Sequence, residues 1–247
     1  MSNAIKALED DLRIASTILE WESGDIFGHV GVRLPDNAGI ACKAFRPASD
    51  SEPDWLVHFN FDVEQIGGNG MPPLEWPMYT EIFNQRPDVN AISHTHMPAC
   101  IALSLLDRAV LPIHLQSAKF KSAVPIHPHP IHIKDRAEGQ ALAATLGDAK
   151  VVVIKGHGVV AVGRNIDEAC MNNLYMERTA KIMGMAGALG YIGPDQGFVE
   201  DMTESQKRMT AINETNPERA KRRGYSNEWR YYKNKILQGD RWTRGWS

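Results

Sequence analysis

The segment "NAISHTH" closes an apolar run with two histidines one residue apart, His94 and His96. On a strand, positions i and i+2 share a face, so both imidazoles project together while Thr95 points away. Neutral imidazole is a good ligand for Zn²⁺ and other borderline divalent ions. A His-x-His pair also occurs as hydrogen-bonded core residues, and by itself it leaves both readings open. Two other places carry comparable chemistry. "VVVIKGHGVVAVG" sets His157 between two glycines at the end of a β-branched run, where a tight turn could present a ligand or simply hold a turn histidine. "PPLEWPMYTEIF" puts Glu75 at a helix start, behind the Gly-rich "IGGNGMPP". A carboxylate there is favoured as the anion, which suits a ligand, a base or an ordinary first-turn glutamate.

The elements that must position these residues follow from hydrophobic periodicity. "IKALEDDLRIASTILEWE" predicts an amphipathic helix ending near Gly24. "HVGVRLP", "IACKAF", "DWLVHFNF" and "VNAISHTH" predict strands, and "PLEWPMYTEIFNQRP" a helix stopped before Pro87. A short helix follows Pro98, and after the irregular "LPIHLQSAKFKSAVPIHPHP" a further helix covers "DRAEGQALAATLGD". "KVVVIKGHGVVAVG" reads as two strands broken at "KGHG". The long "NIDEACMNNLYMERTAKIMGMAGALG" reads as a helix capped by Asn165, with Glu168 three residues on. Helices mixed with strands indicate an α/β architecture. No linker-like break precedes about Gly193 and no internal repeat is present, so residues 1–247 read as a single domain. Within it, 201–247 forms a helical and aromatic extension, with eleven Lys and Arg against six acids. That extension, including "EWRYY", reads as a helix packed on the body or on a partner, or as a lid over an anionic substrate.

Composition excludes several classes. At 43% hydrophobic, 23% charged and net charge −3, the chain is neither a membrane protein nor a general polyanion binder, and no nucleic-acid module is recognisable. Its apolar stretches fall short of the roughly 20 residues that span a bilayer. Acids stand where a secretory signal would carry its apolar core. Cys42, Cys100 and Cys170 are odd in number and scattered, as expected of reduced thiols in a cytoplasmic protein.

Taken in order, these motifs resemble the class II aldolase/adducin family. The match comprises a Glu at a helix start, a helix running to "RPDVNA", a strand ending in His-Thr-His, and a strand ending in Gly-His-Gly before "VGRNIDEA". The resemblance runs from about Leu8 to Leu189. It implies a three-layer α/β/α fold around a mixed central β-sheet, usually a homotetramer. It also implies one divalent ion per subunit on His94, His96 and His157, with Glu75 as the acid/base. Zinc leads, with Mn, Fe and Co as alternatives. The triplet His127, His129 and His132 in "PIHPHPIHI" falls in the family's variable connection. It reads as loop and strand residues rather than a second metal site.

The chain departs from the sugar-phosphate aldolases where phosphate is read. "GHVG", Gly28 to Gly31, replaces their Gly-Asn-Val-Ser, and "PPLE" replaces a Ser-Ser pair before the glutamate. Pro73 also lacks an N–H donor. The aldolase tyrosine would fall near His114–Leu115, where there is none. "GHVGVRLP" and the Trp-x-Tyr-Tyr of Trp229, Tyr231 and Tyr232 look more like the branch of dihydroxyphthalate and hydroxy-carboxymuconic semialdehyde decarboxylases, enzymes of aromatic catabolism. The resemblance then implies a carbon–carbon lyase that releases CO₂ from a small carboxylate by way of a metal-stabilised enolate. His29, Arg33, Arg46 and Tyr231 are candidates for substrate binding. An aldolase for an unphosphorylated hydroxy-keto acid, a non-haem iron oxygenase and a non-enzymatic adducin-like binding module remain as alternatives.

Overall fold

The computed structural model describes residues 3–48, 53–106, 110–120, 123–191, 193–216, 218 and 225–240. Helix α1, Asn3–Ser23, buries Leu12, Ala15, Ile18 and Leu19 and ends at Gly24, which takes a positive φ of 74°. Four strands follow as an antiparallel meander: β1 (His29–Arg33), β2 (Ile40–Lys43), β3 (Leu56–Phe59) and β4 (Gln65–Gly68). Then come α2 (Trp76–Gln85), β5 (Ala91–Thr95), α3 (Pro98–Leu105), β6 (Ile126–His127), α4 (Arg136–Leu146), β7 (Val151–Ile154), β8 (Gly158–Gly163) and α5 (Ile166–Ala188). Two further helices, α6 (Gln196–Thr215) and α7 (Tyr225–Leu237), complete the described chain.

The eight strands form one sheet in the order β4-β3-β2-β1-β5-β8-β7-β6. Only β6 and β7 run parallel, so the sheet is mixed. Alternation sorts its side chains into two cores. Val30, Val32, Ala41, Ala91, Val153 and Ala161 pack with α1, α3, α5 and α7. Ile40, Cys42, Val57, Ile92, Val152, Val160 and Val162 pack on the other face with α2 and α4. Helices cover both faces, which is the expected three-layer α/β/α arrangement. No helix among the described residues is long and apolar enough to cross a membrane, and the three cysteines are free and buried.

Three elements differ from the sequence reading. The Gly-rich loop begins as edge strand β4, because Gly67 and Gly68 lie close against β3, where a Cβ on Gly68 would meet the Leu56 carbonyl at 2.5 Å. Backbone pairing there needs no apolar pattern. Ile126 and His127, within the stretch read as irregular, add the parallel edge strand β6. The C-terminal helical region begins at Gln196, before the expected Asp201, with Asp195 accepting a hydrogen bond from Phe198 N–H. Helix α7 buries Trp229 and Tyr232 in the core shared with α1 and α5, and Arg178 on α5 donates to the Tyr232 hydroxyl. Residues 241–247 of the expected aromatic extension lie outside the described residues.

A buried charge holds the loop from α1 to β1. Lys43 on β2 is almost fully buried, and its Nζ donates to the carbonyls of Ile26 and Gly28 at 2.9 Å each. Glu20 lies 3.6 Å away and accepts the Ala48 N–H. Burial pushes the ammonium below its usual range, and the charge of Glu20 opposes that shift. Replacing Lys43 with Met removes the cation beside Glu20 and the donor of two buried carbonyls, a loss of about 3–5 kcal/mol. Urea unfolding of Lys43→Met is expected to show a lower midpoint with an unchanged slope.

Candidate metal centre

The register of β1 against β5 pairs His29 with His94, so both side chains leave the same face, toward α2. Their neighbours point the other way. Ser93 donates to the Ala169 carbonyl, and Thr95 donates to Asn173 on α5. His96 follows the strand end. His157 arrives in the turn between β7 and β8, where its flanking glycines do separate jobs. Gly156 adopts φ 64°, and Gly158 leaves room that a Cβ would take, 2.5 Å from the Thr95 carbonyl and 3.1 Å from the His94 ring. The ligand nitrogens of His94, His96 and His157 all lie within 4.8 Å of one another.

Each ring is oriented through Nδ1. His94 Nδ1 lies 3.0 Å from the Val159 carbonyl and His157 Nδ1 lies 2.9 Å from that of Ile131. His96 Nδ1 lies 2.5 Å from Asp25 Oδ2. Carbonyls and carboxylates only accept, so Nδ1 carries the hydrogen in all three rings and Nε2 presents a lone pair. Burial pushes the pKa of His94 well down, and that of His157 down as well, which favours the neutral, ligating form. Asp25 is held below the usual carboxylate range: burial raises it, but the His96 hydrogen bond and the Phe27 N–H outweigh that.

Glu75 occupies the N-cap position of α2, yet its side chain makes no capping bond. It turns into the cluster instead. Oε1 accepts the Ile133 N–H and lies 3.6 Å from His157 Nε2, while Oε2 lies 3.4 Å from His94 Nε2 and 3.7 Å from His29 Nε2. Burial alone would raise this carboxyl. The facing His29 Nε2, 3.7 Å from Oε2, opposes that shift, and the balance lies below the usual carboxylate range. His29 differs from the other rings, because its Nδ1 meets the buried Tyr79 hydroxyl at 2.5 Å, a group able to donate, which lets Nε2 carry the hydrogen toward Glu75. Gly31 makes room for that tyrosine, since a Cβ there would meet the Tyr79 ring at 2.4 Å.

These tautomers test the fit of a metal. The Nε2 atoms of His94 and His157 are buried, have no hydrogen-bond partner, and face a carboxylate. Two buried lone pairs without a donor, beside a carboxylate, are costly unless a cation lies among them. Three imidazoles suit a divalent ion of the zinc class and leave a coordination position for substrate, with the Glu75 carboxylate beside it.

Arg33, Arg46 and Tyr231 are not brought to this cluster. Arg33 lies at the far end of β1 from His29, bonded to the carbonyls of Phe83 and Val89 and to Asn37. Arg46 pairs with Asp54 at 2.6 Å in an exposed bridge, and Tyr231 is 54% exposed on α7. The histidines of "PIHPHPIHI" lie in strand and loop, and one of them reaches the site. His127 lies on β6 and His129 and His132 in the loop beyond it, as read, and His132 brings Nδ1 to 3.8 Å from Glu75 Oε1. The backbone of Ile131 and Ile133 serves His157 and Glu75, while the His132 ring stays largely exposed beside them. Asp25 and Tyr79 were also missed. Tyr79 stands one helical turn after Glu75, a signal the spacing offered, whereas Asp25 in a polar loop offered none.

Residues 20–183 match the Class II Aldolase and Adducin N-terminal domain family, and the chain belongs to that family. It is 27% identical over 195 residues to a 3,4-dihydroxyphthalate decarboxylase of Arthrobacter keyseri, covering 71% of this chain and 77% of that one. It is 30% identical over 111 residues to the L-fuculose phosphate aldolase of Escherichia coli, covering 42% of this chain and 51% of that one. An aldolase II superfamily protein from Pseudomonas syringae has the same fold, with a TM-score of 0.80 at 21% identity over 97% of this chain and 95% of that one.

His94→Ala and His157→Ala are each expected to purify without stoichiometric metal while keeping a wild-type circular dichroism spectrum. Asp25→Asn is expected to keep the three ligands but weaken metal affinity by about 10–100-fold, read by chelator competition.

Proposed function

We propose that the protein is a metal-dependent carbon–carbon lyase that decarboxylates a hydroxylated aromatic or ring-cleavage acid of the dihydroxyphthalate or hydroxy-carboxymuconic semialdehyde type. The observation that carries this reading is the set of lone pairs on His94 and His157, buried without partners and aimed at the Glu75 carboxylate. The relatives named as 3,4-dihydroxyphthalate decarboxylases support the choice of substrate class. In this reading zinc is the first choice of ion, and the protein acts on a small carboxylate as a cytoplasmic homotetramer.

His94, His96 and His157 would hold the ion. When bound, it supplies a Lewis acid for the negative charge that develops on substrate oxygens as the carbon bond breaks. Glu75, held as the anion, takes the proton of a substrate hydroxyl as that group ionises. The bond to the carboxylate then breaks, CO₂ departs, and the bonding electrons stay on the retained carbon skeleton. Glu75 returns its proton to that carbon. His29 acts here as a positioning residue: its Nε2–H faces Oε2 of Glu75 while Tyr79 holds the opposite ring nitrogen. This assignment replaces the expected role of His29 in substrate binding. Arg33 and Arg46, engaged elsewhere within the chain, have no part in this scheme.

A second reading, an aldolase for an unphosphorylated hydroxy-keto acid, is favoured by the likeness to L-fuculose phosphate aldolase. It needs the same four residues. Release of CO₂ from 3,4-dihydroxyphthalate or a hydroxy-carboxymuconic semialdehyde by metal-loaded protein is the expected result. Release of an aldehyde from a hydroxy-keto acid would install the second reading, and neither product from either panel would overturn both. Glu75→Gln is expected to lower turnover by about 10²–10⁴-fold while metal content per chain is retained.

A further inference from the structure

Besides the three-histidine set, a second group of ligand atoms lies within 4.8 Å of one another: Glu75, His132 and His157. Both sets use His157. Glu75 faces both, with Oε2 toward His94 at 3.4 Å and Oε1 toward His157 at 3.6 Å and His132 at 3.8 Å. The side chains grade from surface to interior: His132 is 65% exposed, His157 10%, Glu75 8% and His94 0%. His132 makes no hydrogen bond among the described residues, and its neighbours in sequence hold the other two members in place. The Ile131 carbonyl orients His157 and the Ile133 N–H donates to Glu75. One exposed histidine and one buried, partnerless imidazole nitrogen thus flank a single carboxylate oxygen.

We infer that Glu75, His132 and His157 form an outer cation position through which the divalent ion enters the buried three-histidine site. An aqueous ion must exchange its waters for protein ligands, and His94 offers it no exposed atom at which to begin. His132 meets the hydrated ion at the surface, and Glu75 Oε1 and His157 Nε2 displace further water. Transfer inward keeps His157 as a ligand, moves the ion from Oε1 to the Oε2 side of Glu75, and exchanges His132 for His94 and His96. No bond is made or broken apart from coordination bonds. Because His157 Nε2 has one lone pair, the two positions are alternatives, filled in succession by one ion. The inference rests on the metal reading of the site but not on which carbon bond is cleaved.

The test uses Co²⁺ as the probe, added to chelator-stripped full-length protein in a stopped-flow spectrometer. His132→Ala is expected to slow association by about tenfold with little change in the equilibrium constant, since entry and exit share the route. His132→Cys replaces the imidazole by another metal-ligating side chain. It is expected to show a cobalt–thiolate charge-transfer band that rises and then decays into the wild-type spectrum. Equal association rates for wild type and His132→Ala, with no transient band, would overturn the outer position. A thiolate band that persists at equilibrium would also overturn it, by making position 132 part of the final site. If wild-type protein takes up no Co²⁺ at all, the metal reading itself fails and the inference falls with it. Product assays for CO₂ or aldehyde leave the inference untouched.

Discussion

Four hydrogen-bond acceptors aimed at one another form the constraint on which this structure turns. Each imidazole of the trio spends its Nδ1–H on a fixed acceptor: Val159 for His94, Ile131 for His157 and Asp25 for His96. With those hydrogens committed, the buried Nε2 lone pairs of His94 and His157 find no donor, and Glu75 adds negative charge to the same space. Such a group cannot satisfy itself. Its cost falls when a cation sits among the acceptors, so the polypeptide stores affinity for metal as unmet electrostatic demand.

The sheet makes that arrangement affordable by using its two faces for different ends. Ser93 and Thr95 anchor β5 to α5 through buried hydrogen bonds, which leaves the opposite face free to present His94 beside His29. Glu75 could have capped α2, and its release from that role depends on His29 and the Ile133 N–H offering donors farther in. Lys43 works at one remove. By gripping the Ile26 and Gly28 carbonyls it shapes the loop that carries Asp25, and Asp25 in turn sets the His96 ring. Buried polar networks of this kind tolerate little slack, since a half-satisfied one costs more than an apolar core.

Relatives with different activities fit this economy. Names on both sides, dihydroxyphthalate decarboxylase and fuculose phosphate aldolase, belong to proteins similar to this chain. A shared fold does not choose between them, because function resides in the groups around the site. Behind Glu75 this chain places the pair of His29 and Tyr79, with Gly31 as the space that admits the tyrosine.

Much of the architecture was legible beforehand, because alternation and helical periodicity are local properties. The strands around His94, the helices flanking Glu75, the Asn165 cap and the two glycines beside His157 all report on nearby φ, ψ and burial. Edge strands β4 and β6 were not legible, since their pairing rests on backbone contacts rather than on an apolar pattern. By itself the sequence determined which residue types were available and which face of each element they would occupy. Tertiary structure alone decided which distant atoms meet. It brought Asp25 to His96, Tyr79 to His29 and His132 to Glu75, and it left Arg33 at the wrong end of its strand. The reason is physical: ring orientation and proton placement are set by partners tens of residues away, about which local propensity carries no information.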